Sequence, residues 1–144
     1  MTGFLGRYDY QMDEKGRVSL PAAFRREADG ERFVLLQWQK PFLTLFPEDA
    51  WARVQEKLLE QRRTVPGAER YFRRITSTAT EVVPDRQGRI LIPGRLREMA
   101  GLEDEVALIG ALDRIELWDP GAYSAHVPDT EDDVPQQIAS EVFG

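Results

Sequence analysis

The sequence has no cysteine, and it has one histidine, His126, among 144 residues. The absence of cysteine excludes a disulfide framework, a thiolate metal site and a cysteine nucleophile. His126 has no partner residues at the spacing of a metal site or a catalytic triad, and we interpret it as a surface residue. The sequence therefore predicts a protein that is not an enzyme and that uses no metal or other cofactor.

Long apolar runs and nucleotide-binding glycine motifs are also missing. No run approaches the roughly 20 residues that a membrane-spanning helix needs. The start of the chain, MTGFLGRYDY, lacks the basic and apolar regions of a signal peptide. Neither G-x-G-x-x-G nor G-x-x-x-x-G-K occurs, so a nucleotide enzyme is unsupported. Together with the lack of cysteine, these features predict a cytoplasmic protein.

Basic residues are outnumbered, but the charge is segregated along the chain. The formal net charge is −6, which taken alone argues against nucleic-acid binding. Residues 1–97 contain 18 Lys and Arg against 13 Asp and Glu, whereas residues 98–144 contain one Arg against 12 acidic residues. This asymmetry indicates a basic working face with an acidic flank, or simply a solubilising acidic terminus.

The strongest feature of the sequence is an internal duplication. Segment 13–47 aligns with segment 85–119 at a constant offset of 72 residues and without a gap. Two copies of so long a unit do not make a solenoid of stacked repeats, and they predict one pseudo-twofold domain. The identical pairs are Asp13/Asp85, Gly16/Gly88, Arg17/Arg89, Pro21/Pro93, Arg25/Arg97, Ala28/Ala100, Glu31/Glu103, Val34/Val106, Leu36/Leu108 and Leu45/Leu117.

Each copy reads as strand, tight loop, strand, short helix and two further strands. The extended segments GRYDYQM and STATEVV are followed by the loops DEKG and DRQG, in which the fourth residue is glycine, as a hairpin with positive φ requires. A proline then introduces PAAFRREA or PGRLREMA, which have apolar residues at helical spacing. The pattern predicts an α+β fold with a mainly β core, in which the hairpins of the two copies interleave into a small barrel.

The remaining segments divide the chain into four parts. PEDAWARVQEKLLEQRR and AERYFRRI predict two helices between the copies, DPGAYSAHV a short capped helix, VPDTEDDVP a mobile acidic loop and PQQIASEVFG a terminal helix. We therefore predict a first repeat at 5–47, a helical linker at 48–76, a second repeat at 77–119 and an acidic tail at 120–144.

The repeated loops carry the candidate binding residues. Lys15 and Arg86 lie at the loop tips, and Arg17 and Arg89 begin the following strands. Cations on rigid hairpins suit contacts with DNA phosphates, and guanidinium groups also suit the O6 and N7 atoms of guanine. The alternative is a charged tip that serves solubility alone.

The repeated carboxylates Asp13 and Asp85 have two interpretations. They could form an acid/base pair across the dyad, as in aspartic proteases, but the Thr or Ser and Gly that follow the Asp in those sites are absent. We favour a role in which each carboxylate accepts backbone N–H bonds in its turn and meets the Arg four positions on. Gly16 and Gly88 would complete these turns.

Other arginines have more than one interpretation. Arg25 and Arg97 would either reach the same surface or hold the fold by pairing with acids such as Glu31 and Glu103, and we favour the structural role. Helical spacing places Arg70, Arg73 and Arg74 on one helix face, which we interpret as solvated.

The duplicated motifs resemble the MraZ family, bacterial regulators with two fused AbrB-like modules. The resemblance rests on MDEKGRVSLPAAFR, PDRQGRILIPGRLREMAGL and the ending RIELWD, and it covers about residues 1–123. One departure is Met12, where many members have leucine, and this swap conserves volume. The resemblance implies a swapped-hairpin barrel in which Arg17 and Arg89 contact DNA, helped by Lys15 and Arg86, while Asp13 and Asp85 orient the arginines.

The resemblance also implies how the protein acts. Family members form rings that bind tandem short direct repeats upstream of the division and cell-wall gene cluster, and binding usually represses that promoter. For this chain it implies double-stranded DNA and further copies of itself as partners, with the protein located on the nucleoid.

Two alternatives remain open. An antitoxin-like AbrB-fold protein would bind DNA and hold a toxin with its acidic tail, although such antitoxins usually have a single module. An interaction ring without a DNA role would use aromatic residues for subunit contacts, although burial in the core is their more common fate. These aromatic residues are Trp38, Phe42, Phe46, Trp51 and Trp118.

Overall fold

The structure, a computed structural model, describes residues 3–127 and 134–144. The first half has four strands and three helices, because the helical linker follows the first repeat directly. Tight glycine turns and proline residues separate these elements, as the sequence predicts. The elements are β1 (Arg7–Gln11), β2 (Arg17–Ser19), α1 (Ala22–Glu27), β3 (Phe33–Leu36), β4 (Leu43–Pro47), α2 (Glu48–Thr64) and α3 (Ala68–Thr78).

The second half repeats the order of the first and ends in short helical segments. The final segment, 139–143, is a π-helical turn that continues directly from α6, which confirms a helical C-terminus. The elements are β5 (Thr80–Val82), β6 (Arg89–Leu91), α4 (Gly94–Ala100), β7 (Glu105–Gly110), β8 (Ile115–Trp118), α5 (Pro120–His126) and α6 (Gln136–Ile138).

The two copies exchange their first strands. β1 pairs with β7 of the second copy, and β5 pairs with β3 of the first copy, both antiparallel. The result is a six-stranded sheet of order β1-β7-β8-β4-β3-β5, together with a two-stranded ribbon of β2 and β6. This arrangement confirms the α+β class and the interleaving of the copies. The described strands form two sheets, and closure into one continuous barrel is not confirmed.

A pseudo-twofold axis passes through both sheets. In the ribbon, Val18 lies opposite its own counterpart Ile90, and both side chains are buried. In the large sheet, Leu43 pairs with Leu117 and Leu45 pairs with Ile115 across the junction of β4 and β8. Since these leucines and Ile115 are related by the 72-residue offset, the two copies meet symmetrically on the axis.

The offset of 72 residues between the copies does not hold in β3 and β7. Leu35 and Leu108 pair with the equivalent residues Leu45 and Leu117, so the offset in these strands is 73 residues. One extra residue before β7 and a connection one residue shorter after it restore the offset of 72. A shift of one residue moves a side chain to the other face of a sheet. The matches Val34/Val106 and Leu36/Leu108 are therefore wrong by one residue, and Val34 and Leu36 face outward from the main core.

The main core fills the space between the large sheet and the ribbon. It includes Phe24 and Leu96 from the two short helices, which shows that these helices close the ends of the same core. The linker helices α2 and α3 cover the opposite face of β3 and β4 through Leu36, Phe46 and Ala50. Two copies of about 45 residues thus share a single core, as is expected for modules too small to fold separately.

The structure corrects one local prediction, and another falls outside the described residues. The segment STATEVV is only partly a strand, because Ser77 and Thr78 continue α3 and β5 begins at Thr80. The added residues are poor helix formers, and they are held by packing of α3 against β3 and by side-chain bonds from Thr76 to the carbonyl of Phe72 and from Ser77 to that of Arg74. Of the predicted acidic loop VPDTEDDVP, residues 128–133 lie outside the described residues. Within the described ranges, no helix is both long and apolar enough to cross a membrane.

The aromatic residues divide between core and surface. Phe42, Phe46 and Trp118 are buried, whereas Trp38 is exposed and Trp51 is half-buried. Phe42 stacks on Trp118 with ring centroids 4.6 Å apart. Most of these rings therefore pack inside the subunit, the more common fate expected from the sequence.

Candidate nucleic-acid interface

The first repeated loop is a tight turn organised by Asp13. Its Oδ1 atom accepts backbone N–H bonds from Lys15 at 3.0 Å and Arg17 at 2.8 Å. Its Oδ2 atom accepts a bond from Nε of the Arg17 side chain at 2.7 Å. Gly16 has a φ of +90°, which only glycine adopts readily. One carboxylate thus holds both the turn and the arginine that follows it.

The second loop repeats this geometry. Oδ1 of Asp85 accepts from the backbone N–H groups of Gln87 and Arg89, both at 2.9 Å. Oδ2 accepts from Nε of Arg89 at 3.0 Å, and Gly88 has a φ of +77°. The structure therefore builds two equivalent carboxylate–arginine pairs, and the turn-forming interpretation of the aspartates agrees with their contacts.

The two pairs lie side by side on the outer face of the β2–β6 ribbon. Val18 and Ile90 point into the core, so the alternate residues Arg17, Ser19 and Arg89 point outward with Leu91. Nη1 of Arg89 lies 3.8 Å from Oδ2 of Asp13, which links the two loops across the axis. We call this surface, consisting of Arg17, Ser19, Arg89 and Leu91, the ribbon face.

The loop tips extend the ribbon face with further cations. Lys15 and Arg86 are both exposed, and neither forms an ion pair with any residue in the described ranges. Each lies within three residues of its ribbon arginine in the same turn. All four predicted cations therefore lie on or beside the ribbon face. The acidic tail, 120–144, is a separate segment of the sequence.

Arg25 and Arg97 have a structural role, but with partners other than the predicted acids. Nε of Arg25 donates to the carbonyl of Leu20 at 3.1 Å, and Nε of Arg97 donates to the carbonyl of Ile92 at 3.0 Å. Each guanidinium also packs against the turn glycine of the other copy, Gly88 or Gly16. These arginines support the loops from behind. Neither pairs with Glu31 or Glu103 among the described residues.

Each loop is also tied through the backbone to the residue that follows the ribbon strand of the other copy. The N–H of Leu20 donates to the carbonyl of Gly88 at 2.8 Å, and the N–H of Ile92 donates to the carbonyl of Gly16 at 2.9 Å. Both glycines are buried, although they lie in turns. Rigid loops of this kind lose less conformational entropy when they bind a partner than mobile loops do.

The electrostatics of the aspartates do not fit an acid/base pair. The backbone N–H of Arg17 is the main cause that lowers the pKa of Asp13, and the backbone N–H of Arg89 does the same for the pKa of Asp85. An acid/base dyad needs one carboxyl with a raised pKa so that it holds a proton. Both carboxylates are instead stabilised in the charged form, which suits hydrogen-bond acceptors.

We expect both carboxyl groups to titrate below the ordinary aspartate pKa of about 3.9. A lowered pKa in the folded protein stabilises the fold above the unfolded-state value, and this stabilisation is lost as the pH falls through the folded-state value. Carboxyl chemical shifts measured by NMR between pH 2 and 7 will check the two values directly.

The pH dependence of the free energy of unfolding provides a second test. Replacing Asp13 and Asp85 by Asn is expected to flatten the dependence of the free energy of unfolding on pH below about 4. A carboxyl that titrates above 3.9, or an acid dependence that the Asn variant retains in full, contradicts the assigned hydrogen bonds.

Reasoning from the sequence placed the cations but missed two members of the ribbon face. Ser19 and Leu91 occupy equivalent positions but differ in residue type, so they are not among the repeated residues. The signal was the strict alternation in RVS and RIL, which puts the first and third residues on one face. Other sequence interpretations agree with the structure, since His126, Arg70, Arg73 and Arg74 are all exposed.

Fold and surface together define a class of protein: a pseudo-twofold, strand-exchanged domain that presents paired, carboxylate-held arginines on a two-stranded ribbon. Comparison with known families gives the same class. The model of the family described as "MraZ protein", antitoxin-like, matches residues 4–74 and 75–138. Each match contains one carboxylate–arginine turn.

Individual relatives match over nearly their whole length. Proteins named "Transcriptional regulator MraZ" are 39% identical over 130 residues in Salinispora arenicola, covering 90% of this chain and 91% of the relative. Identity is 41% over 128 residues in Kocuria rhizophila, covering 89% of each, and 37% over 137 residues in Halothermothrix orenii, covering 95% of each. The chain belongs to the MraZ family. It is a transcriptional regulator and not an enzyme, as the sequence predicts.

Proposed function

We propose that this protein represses transcription by binding specific double-stranded DNA through the ribbon face and its two loops. Arg17 and Arg89 are the principal contacts, Lys15 and Arg86 assist them, and Asp13 and Asp85 orient the arginines. The observation that carries the proposal is the pair of equivalent arginines, each fixed by a carboxylate, on one exposed face.

The shape of this face fits DNA. A two-stranded antiparallel ribbon is narrow enough to enter the major groove, which is about 12 Å wide. Each arginine engages its aspartate through Nε, so its terminal nitrogens are available for guanine O6 and N7. Because the carboxylate holds the guanidinium before binding, less rotamer entropy is lost when the complex forms.

We further propose that several copies assemble into a ring on tandem short direct repeats. One subunit offers only four predicted cations, and each neutralised phosphate contributes little alone. Linked copies raise the effective concentration of each contact, so weak individual sites give tight binding to a repeated site. The net charge of −6 is compatible with this, since the excess of acidic residues falls in segment 98–144, outside both loops and the ribbon strands.

The resemblance to the family supports the biological setting. We infer that the target is the promoter of the division and cell-wall gene cluster that contains the protein's own gene, that binding there is autorepressive, and that the protein works in the cytoplasm on the nucleoid. The operator sequence is to be found in the DNA upstream of that gene.

Binding to this upstream DNA across a salt series tests the function. We expect tight, sequence-selective binding whose logarithm falls linearly with the logarithm of salt concentration, with a slope of about −0.9 for each phosphate contacted. Scrambled DNA of the same composition is the control. Equal affinity for the two DNAs at all salt concentrations would overturn the proposal and favour an interaction ring without a DNA role.

A second candidate, binding of a toxin by the C-terminal segment, is favoured by one observation. The segment carries four exposed apolar side chains, Val134, Ile138, Val142 and Phe143. Co-purification of a stoichiometric partner that is lost when residues 134–144 are removed would support it, whereas full repression by the truncated chain without a partner would leave regulation as the whole function.

A further inference from the structure

The ribbon face breaks the pseudo-twofold symmetry of the domain. Arg17 lies directly opposite Leu91, and Ser19 lies directly opposite Arg89. The arginines are equivalent and occupy one diagonal of this square, whereas Ser19 and Leu91 occupy equivalent positions on the other diagonal with unlike side chains. The two ends of the face therefore differ: one offers a cation beside a large apolar group, and the other a cation beside a small hydroxyl group.

Leu91 presents a large apolar side chain on the ribbon face. Its side chain is 51% exposed on a strand whose neighbouring residue, Ile90, is completely buried. A leucine in this setting costs solvation free energy and contributes nothing to the core, while the serine in the other copy shows that the fold tolerates a small polar group there. The leucine is thus available to a ligand that presents an apolar group beside an anionic or hydrogen-bonding one.

A thymine next to a guanine presents that combination. The 5-methyl group of thymine is the apolar feature of the major groove, and guanine offers the two acceptors that arginine recognises. Side chains directly opposite each other in an antiparallel pair are about 5 Å apart, and successive bases along a strand are about 3.4 Å apart. Arg17 and Leu91 are therefore spaced to reach adjacent or next-adjacent bases.

We propose that Leu91 determines specificity by packing on the 5-methyl group of a thymine beside the guanine that Arg17 binds, and that the Leu91/Ser19 difference fixes the direction of the protein on DNA. This inference rests on the proposed DNA binding. A symmetric ribbon would bind a palindromic site equally well in either orientation, since rotation about the axis exchanges its two halves. An asymmetric ribbon distinguishes the two directions, and direct repeats require this because every site has the same polarity.

The loop tips also differ between the two copies. At equivalent positions, Glu14 and Lys15 of the first loop correspond to Arg86 and Gln87 of the second. The second loop thus carries a net positive charge where the first is balanced at these two positions.

Deoxyuridine substitution tests the methyl contact. The probe is the DNA upstream of the gene, with each thymine replaced in turn by deoxyuridine, which lacks only the methyl group. For the native protein we expect one thymine per repeat at which the replacement weakens binding about fourfold, the loss expected for one methyl group. The Leu91→Ser variant should lose about fourfold in affinity for each repeat that is bound, and it should be insensitive to deoxyuridine at that position.

Two controls separate this inference from the proposed function. Ser19→Ala changes the other unlike residue and should retain the sensitivity to deoxyuridine, and thermal unfolding will show that each variant is folded. Selective binding by the native protein without sensitivity at any thymine would overturn the role of Leu91 and leave DNA binding intact. An absence of selective binding would overturn both.

Site-directed cleavage tests the direction. Because the chain has no cysteine, Glu14→Cys provides a single attachment point for an iron chelate that cuts nearby DNA. We expect cuts on one side of each repeat with Leu91 and Ser19 in place. Exchanging the two, Ser19→Leu with Leu91→Ser, should move cleavage toward the opposite side, and an unchanged pattern would overturn the assignment of direction to this pair.

Discussion

Replacing both Arg17 and Arg89 with alanine is expected to lower the affinity for the upstream DNA by at least about 30-fold. One bidentate arginine–guanine pair contributes about 1–3 kcal/mol of discrimination, and the double variant removes two such pairs. The preference for the natural sequence over scrambled DNA should fall along with the affinity. Titration of labelled duplexes at one fixed salt concentration measures both quantities.

The control variant removes the same number of positive charges from a different surface. Arg63→Ala with Arg74→Ala also removes two positive charges, but these exposed arginines lie on α2 and α3. We expect only a small, salt-dependent decrease in affinity, because the surface they occupy is remote in the fold from the ribbon. Equal losses in the two double variants would show that net charge, and not the ribbon face, controls binding.

Replacing Gly16 with alanine is expected to reduce the free energy of unfolding by about 3 kcal/mol. A non-glycine residue in a left-handed conformation costs of order 1–3 kcal/mol, and Gly16 has a φ of +90°. An added Cβ would also lie 2.9 Å from the carbonyl oxygen of Ile92 and 2.8 Å from the guanidinium of Arg97. Relieving these clashes requires the first loop to move away from Ile92 and Arg97 of the second copy. Chemical denaturation measures the effect.

Gly67 provides the matched control for this substitution. It has a φ of +79°, and a Cβ added there meets no atom within 4 Å. Gly67→Ala should therefore cost only the conformational term, about 1 kcal/mol. If Gly16→Ala is no more destabilising than Gly67→Ala, the close contact of the first loop with Ile92 and Arg97 does not contribute to stability.

The candidate site was predictable where it depends on local sequence. Asp13, Gly16 and Arg17 recur as Asp85, Gly88 and Arg89 at one spacing, and a carboxylate two to four residues before backbone N–H groups forms such a turn without help from the rest of the fold. For this reason the turns in the structure match the predicted ones closely. The supporting contacts of Arg25 and Arg97 were not predictable, because each arginine packs on a glycine of the other copy.

The alignment error in the third strands has a similar cause. β3 and β7 are both apolar on both faces, since one face meets the main core and the other meets helices or aromatic residues. A fully apolar strand shows no alternation of polar and apolar residues, so a slip of one residue leaves no trace in composition. Only the pairing with β4 and β8 shows which residues are equivalent.

The sequence by itself determined the duplication, the strand and helix order, the carboxylate–arginine turns and the family, because each depends on residue types at short, regular spacings. Tertiary structure alone decided which strands the exchanged β1 and β5 pair with and in what register, and that Leu91 lies opposite Arg17 and Ser19 opposite Arg89. These outcomes depend on pairing between segments about 45 to 100 residues apart, and such pairing is selected by the shared core as a whole.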